Sequence, residues 1–193
     1  MDGLRCRPFV APSPRRRAVT EARTPARRVQ DIDWRAWRPR DRATLLFVRS
    51  ADRLLLIQKR RGFGAGKVNA PGGKLEPGET ALEAAVREVE EEVGVTPLEP
   101  RHHGELRFQF TDGYSLHASV FVAPAYRGSP RATPEADPFW VPVTAIPFER
   151  MWADDRLWLP PVLDGHWVDG YFVFDGDALL DHHLQQRPMR PGP

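Results

Sequence analysis

The chain has 193 residues, 41% of them hydrophobic, with a formal net charge of +2, which suits one domain with a sizeable core and a short extension. No apolar run approaches membrane-span length, the longest near the start of the folded part being residues 43–48, so a membrane protein is excluded on this reading. The single cysteine, Cys6, excludes an internal disulfide framework and fits a reducing, cytoplasmic setting.

The charge is unevenly spread. Residues 1–43 hold 12 arginines against 5 acids, a net of +7, which leaves −5 for the other 150 residues. With Pro8, Pro12, Pro14, Pro25 and Pro39, the run Arg15-Arg16-Arg17 and few aliphatics, the first 30 or so residues cannot bury enough surface to order themselves. Residues 1–40 are therefore expected to be a disordered Arg/Pro-rich extension, with Trp34 and Trp37 marking where the chain begins to pack. Such composition admits a polyanion-binding arm or an organellar targeting peptide; Asp2, Glu21 and the single serine before residue 30 weigh against targeting.

The folded part is predicted to open with two β-type runs, residues 44–49 and 53–59, joined as a hairpin by Ser50-Ala51-Asp52. Residues 61–67, RGFGAGK, form a glycine loop. Glycine loops often cradle phosphate, but this one lacks the spacing and the following Ser or Thr of a P-loop.

Residues 73–95, GKLEPGETALEAAVREVEEEVGV, are the most informative stretch. Pro77-Gly78 signals a turn, Thr80 with Glu83 has capping-box spacing and Gly94 is a helix stop, so a helix is predicted over 81–93. Leu82, Ala85, Val86, Val89 and Val93 share the stripe expected to be buried. Glu88, Glu91 and Glu92 fill an adjoining arc, while Glu90 points to the other flank. As a solvated acidic face this arc is unfavourable: like charges at i,i+3 and i,i+4 each oppose the helix by roughly 0.2–0.5 kcal/mol, and anions in the last turn meet the negative end of the macrodipole. Arg87 is expected to offset one Glu at most. A hard divalent cation with oxygen ligands reverses the sign of the cluster, and Mg²⁺ typically combines a few carboxylates with substrate phosphates.

Further along, residues 105–112 and 114–123 alternate and meet at Asp112-Gly113, a hairpin signal. Residues 128–137 read as a polar loop carrying Glu135, 140–143 as a short strand, and 156–163 as a helix entered through Met151-Trp152-Ala153-Asp154-Asp155. A last hairpin, residues 166–174 and 178–185, turns at Asp175-Gly176, and 187–193 read as a disordered Pro-rich tail. Hairpins with interspersed helices predict an α+β domain over 41–186, a mixed β-sheet flanked by helices.

Gly73, Glu79 and the run Arg87-Glu88-Val89-Glu90-Glu91-Glu92-Val93-Gly94-Val95 resemble the complete Nudix box, with no departure at its defining positions. A chance match to that many fixed identities is on the order of 10⁻⁸ or rarer per starting point. Beyond the box, Arg61-Gly62-Phe63-Gly64-Ala65-Gly66, Met151-Trp152-Ala153-Asp154-Asp155 and Gly170-Tyr171-Phe172-Val173-Phe174 resemble the oxidised purine nucleoside triphosphatase (8-oxo-dGTP diphosphatase) branch, with coverage over about residues 44–185. The resemblance implies the Nudix α/β/α sandwich. It also implies Mg²⁺-dependent hydrolysis, with Mn²⁺ as the alternative ion, of oxidised purine nucleoside triphosphates such as 8-oxo-dGTP and 2-hydroxy-dATP to the monophosphate and pyrophosphate, sanitising the nucleotide pool. Two other readings stay open: a Nudix hydrolase for another nucleoside diphosphate derivative, such as a sugar nucleotide or dinucleotide polyphosphate, and a non-catalytic nucleotide- or RNA-binding module. The expected partner is a small-molecule purine nucleoside triphosphate; a monomer is expected, without membrane or stable nucleic-acid binding beyond weak polyanion contact by the basic tail.

Position by position, the resemblance assigns metal ligation to the Gly72 carbonyl, Glu88, Glu91 and Glu92, with Glu135 as a further carboxylate. It gives Arg87 the orientation of the glutamates and makes Glu92, with Glu135 as rival, the group that orients or deprotonates the attacking water. It sets Gly73 against the substrate, puts Asn69, Asp154 and Asp155 on the purine edge, makes Phe63, Phe108, Leu116 and Trp152 pocket walls, and places Thr44 and Lys59 in the same pocket. On chemistry alone, two adjacent carboxylates beside an apolar pocket should push one pKa up, leaving one protonated donor and one acceptor for a purine amide edge. As an ordinary helix start, the same Asp-Asp would be an N-cap with a solvated neighbour. Val68 and Ala70-Pro71 depart from an aromatic-bearing stretch in the branch, and Leu116 from its Met.

Overall fold

A computed structural model describes residues 25–189. Strand β1 (Asp41–Ser50) buries Leu46, Phe47 and Val48, turns through Ala51, and returns as β2 (Arg53–Lys59). In β2, Leu54, Leu55, Leu56 and Ile57 are all fully buried; a run without alternation is what a strand covered on both faces requires. There follow β3 (Val68–Asn69), α1 (Ala81–Val93), β4 (Val95–Leu98), β5 (Arg101–Phe110), β6 (Ser115–Ala123), β7 (Ala125–Gly128), β8 (Ala136–Pro142), α2 (Asp155–Leu163), β9 (His166–Asp175) and β10 (Ala178–Pro188).

The main sheet runs β10-β9-β5-β6-β1-β2-β3, with β8 also paired to β2, and β4 with β7 forms a separate ribbon. β1 pairs with β6 and β5 with β9 in parallel, the other pairs being antiparallel. Helix α1 covers one face, packing Ala85, Val89 and Val93 with Leu46, Val48, Leu55, Ile57 and Phe121. Helix α2 covers the other, where Trp158, Leu159 and Val162 join Phe47, Leu54, Leu56, Phe172 and Phe174. The predicted α+β fold, a mixed sheet flanked by helices in an α/β/α sandwich, is thus observed. No helix among the described residues is long and apolar enough to cross a membrane.

Helix α1 has the expected span, with the Thr80–Glu83 capping box formed and Gly94 left-handed at φ 74°. Its rotation differs: Leu82 is 43% exposed, while Ala84 and Glu92 are buried. The helix turns Glu92 inward, where the Gly72 backbone N–H and the Lys59 ammonium meet it. Strand β8 begins at Ala136, inside the stretch read as loop, and β10 runs to Pro188, so Arg187 and Pro188 are strand and not tail. Order also begins earlier than residue 41. The Val29 N–H donates to Asp181 Oδ2 at 2.8 Å, and Trp34 packs edge-on against Tyr171 at 4.9 Å. The Arg15-Arg16-Arg17 run, with its polyanion and targeting readings, lies outside the described residues.

Candidate active site

Residues 71–74 run alongside β1, with the Thr44 N–H donating to the Gly73 carbonyl at 2.8 Å and the Leu46 N–H to the Pro71 carbonyl at 3.0 Å. Both glycines sit at close approaches, Gly72 to backbone and Gly73 to a side chain. A Cβ on Gly72 would lie 2.1 Å from the Thr44 carbonyl oxygen, and one on Gly73 would lie 2.4 Å from the Glu88 carboxylate. Beneath this strip Glu92, 1% exposed, accepts the Gly72 N–H on Oε2 at 2.9 Å. Lys59 Nζ sits 3.3 Å from Glu92 Oε1 and 3.3 Å from the Gly72 carbonyl oxygen. Burial pushes the Glu92 carboxyl up, against the pull of Lys59; burial also pushes Glu88 up, against Arg87. A backbone carbonyl and a desolvated carboxylate already sharing one cation, with Glu88 beside them, form a hard-oxygen donor set, and that set fits a divalent ion.

Arg87 does more than offset one glutamate. Its guanidinium grips Glu79 with two bonds, 2.7 and 2.9 Å, reaches Glu88 at 2.9 Å and Glu91 at 3.1 Å, and donates to the Lys74 carbonyl at 3.2 Å. Five donors in a planar fork make this possible. The grip holds Glu79 down at about 2. Glu79 was legible only as a fixed position of the box; its role as the anchor of Arg87 is visible in the fold. The Glu91 side chain is 62% exposed and turned toward Arg87.

A cleft of about 320 Å³ opens from this carboxylate floor. Thr44, Lys59, Phe63, Asn69, Gly72, Gly73, Glu88, Glu92, Phe108, Leu116, Glu135, Trp152, Asp154 and Asp155 all line it. Of the residues singled out in the sequence, Arg87 and Glu91 stand outside it. Glu135 is on an exposed loop, its Oε1 3.6 Å from Arg61 Nε. Asn69 Oδ1 accepts the Ala70 N–H at 2.8 Å, as a turn-serving Asn would. Thr44 Oγ1 is buried with no hydrogen-bond partner among the described residues, so a hydroxyl is left over at the cleft wall.

At the far end Asp154 and Asp155 are each 2% exposed, so neither is the solvated neighbour of an N-cap. The Trp158 Nε1–H donates to Asp154 Oδ2 at 2.8 Å, and the Trp152 N–H to Asp155 Oδ2 at 2.9 Å. Burial pushes Asp154 up to about 6. Burial and then the charge of Asp154 push Asp155 well above the ordinary carboxylate range. Two carboxyls this close in an apolar setting titrate as a pair and keep a proton between them near neutral pH. Beside them Phe63 stacks on Trp152 at 5.2 Å and Lys67 Nζ lies 4.6 Å from the centre of the Trp152 ring. Sequence reasoning missed Trp158, although its i+4 spacing from Asp154 on a predicted helix was a usable signal. It also missed Phe110, Tyr114 and Phe174 on the walls.

The NUDIX domain family matches residues 38–162. The oxidized purine nucleoside triphosphate hydrolase of Danio rerio is 42% identical over 147 residues, covering 74% of this chain and 93% of its own. The Mus musculus protein of the same name is 37% identical over 145 residues, with the same coverages. Among solved structures, a MutT protein from Bacillus halodurans superposes with a TM-score of 0.66 at 30% identity, covering 75% of this chain and 97% of its own. Nudix hydrolases use divalent metal ions, in keeping with the oxygen donor set under Gly72. On a domain match spanning most of its length and relatives aligned over three quarters of it, the chain belongs to the Nudix hydrolase family.

Proposed function

We propose that the chain hydrolyses oxidised purine nucleoside triphosphates, 8-oxo-dGTP and 2-hydroxy-dATP among them, to the nucleoside monophosphate and pyrophosphate, as a cytoplasmic monomer that sanitises the nucleotide pool. The observation that carries this reading is one cleft with two chemically distinct ends: desolvated Glu88 and Glu92 under Gly72-Gly73, and the buried Asp154–Asp155 pair beside Trp152. The names of the Danio rerio and Mus musculus relatives support it.

The Gly72 carbonyl, Glu88 and Glu92 would hold Mg²⁺, with Glu91 joining them from Arg87 and Glu135 from its loop. A bound Mg²⁺ supplies neutralisation of the phosphate charge, which dominates catalysis of phosphoryl chemistry. Both Glu92 oxygens are already engaged, by Gly72 and Lys59, whereas Glu135 is exposed with a single ionic partner. Glu92, fixed in place and raised by burial, suits orienting or deprotonating the attacking water, with Glu135 as the rival for the proton. Asn69, its carbonyl oxygen occupied by Ala70, offers its amide donor to the base. The Asp pair, sharing a proton, presents one donor and one acceptor to a purine amide edge, and moving the proton admits a second oxidised base.

The test is pyrophosphate release from 8-oxo-dGTP and dGTP side by side, with and without Mg²⁺. The oxidised nucleotide should be preferred, and Asp154→Asn should reduce that preference. Equal kcat/KM for the two nucleotides would sink the reading.

A further inference from the structure

Among the cleft-lining aromatics that belong to none of the motifs, Tyr114 stands at the tip of the β5–β6 hairpin. The Asp112-Gly113 turn presents it, Asp112 Oδ1 accepting the Tyr114 N–H at 2.8 Å and the Tyr114 carbonyl accepting the Phe110 N–H at 2.9 Å. Its ring stands 5.4 Å from Phe63 and 5.6 Å from Phe110, continuing the aromatic wall that includes Trp152.

Hairpin tips held by the turn alone are drawn from the low-stability end of a fold. This one is held from outside. The Trp37 Nε1–H donates to Gln109 Oε1 at 2.9 Å, which aims the Gln109 amide so that Nε2 donates to the Tyr114 carbonyl at 3.1 Å and the Phe110 carbonyl at 3.0 Å. The Arg40 guanidinium lies 5.9 Å from the Tyr114 ring centre, and the Arg40 N–H donates to Ser115 Oγ at 2.9 Å. The Asp41 carboxylate, which holds Lys74 Nζ at 2.8 Å, acts on the Tyr114 phenol. Burial, then Asp41, push the phenol up to about 12, so it remains a donor throughout the working range. Trp34 anchors the segment, lying 5.3 Å from Trp37 and 4.9 Å from Tyr171. The hairpin tip is thus gripped at its backbone through Gln109 and Ser115 and at the Tyr114 ring face, from residues 37–41.

We propose that Tyr114 is a wall of the nucleobase end of the substrate cleft, and that residues 37–41, ahead of the main sheet, position it and thereby set KM. The inference rests on the purine reading above. Preorganising an aromatic contact spares the binding step the ordering of that side chain, and a contact to the base, remote from the phosphate floor, is made equally in ground and transition states. Such a contact appears in KM and leaves kcat alone.

The experiment is steady-state pyrophosphate release by the full chain on 8-oxo-dGTP with Mg²⁺. Tyr114→Ala should raise KM about tenfold, one stacking contact, with kcat within about twofold. Trp37→Phe, which keeps a smaller aromatic ring and removes the donor, should raise KM about threefold, one hydrogen bond's worth, and should add nothing in the Tyr114→Ala background. Tyr114→Phe should fall between wild type and Tyr114→Ala. An unchanged KM for Tyr114→Ala, or Trp37→Phe effects that add fully to it, would overturn the proposal; a fall in kcat with no change in KM would do the same. A wild-type chain that cleaves some other nucleotide but not 8-oxo-dGTP would refute the function above, and the same variants on that nucleotide would then decide the role of Tyr114 separately.

Discussion

Two residues, Asp154 and Asp155, show how burial turns an ordinary dipeptide into a recognition device. Each spends one carboxyl oxygen on a fixed donor, Trp158 Nε1–H and the Trp152 N–H respectively, and each is only 2% exposed. The folded-state pKa of Asp154 is raised, from 3.8 to about 6, so the neutral form is the one the fold favours. That contribution to stability is complete below pH 3.8 and is lost as pH rises through about 6. Asp154→Asn keeps the acceptor for Trp158 and removes the titration. The variant should therefore gain on wild type as pH rises from 5 to 8, by about 1 kcal/mol over that range, while losing the preference for 8-oxo-dGTP. Thermal melts of both proteins across that range check it, and a constant difference in Tm would contradict it. Arg87 makes a second prediction at this scale. Lysine cannot reproduce a fork that holds Glu79, Glu88 and Glu91 together. Arg87→Lys should raise the Mg²⁺ concentration for half-maximal rate about tenfold or more, read from a metal titration of the initial rate.

Helix α1 shows what was and was not legible at the scale of elements. Its ends were plain from the sequence because capping and the left-handed stop are local chemistry, written within a few residues. Its rotation was not, because the exposure of Leu82 and the burial of Glu92 depend on Gly72 and Lys59, far away along the chain. The β4–β7 ribbon escaped for a local reason: Val95–Leu98 contains Pro97, and its partner Ala125–Gly128 is short and lacks alternation. The mixed sheet and both helices, by contrast, followed from turn signals and periodicity. Two substitutions separate the helix as scaffold from the helix as site. Thr80→Ala removes the cap and should lower stability by about 1 kcal/mol with kcat unchanged. Gly73→Ala puts a methyl 2.4 Å from the Glu88 carboxylate on a backbone that tolerates it, and should cost about a hundredfold in kcat with little change in Tm. Circular-dichroism melts and initial rates on both variants distinguish them.

For the whole molecule, the boundary between extension and domain is the feature that composition concealed. Proline and arginine dominate residues 1–40, and by composition the whole stretch reads as unable to pack. Trp34 and Trp37 were the signal that it does, and the structure carries that packing back to Val29, which bonds Asp181 on the last strand. These contacts reach opposite ends of the described chain. Residues 29–40 therefore join β10 to the β5–β6 hairpin, and their loss should be felt both in stability and at the cleft. A dispensable extension would leave hydrolysis unchanged when residues 1–40 are deleted. Loss of the packing of the two half-buried indoles predicts a fall in Tm on the order of 5 °C, together with the rise in KM expected for Tyr114→Ala. Melting curves and KM on the 1–40 deletion decide it: wild-type Tm and KM would show that the contacts of Trp34 and Trp37 carry no free energy.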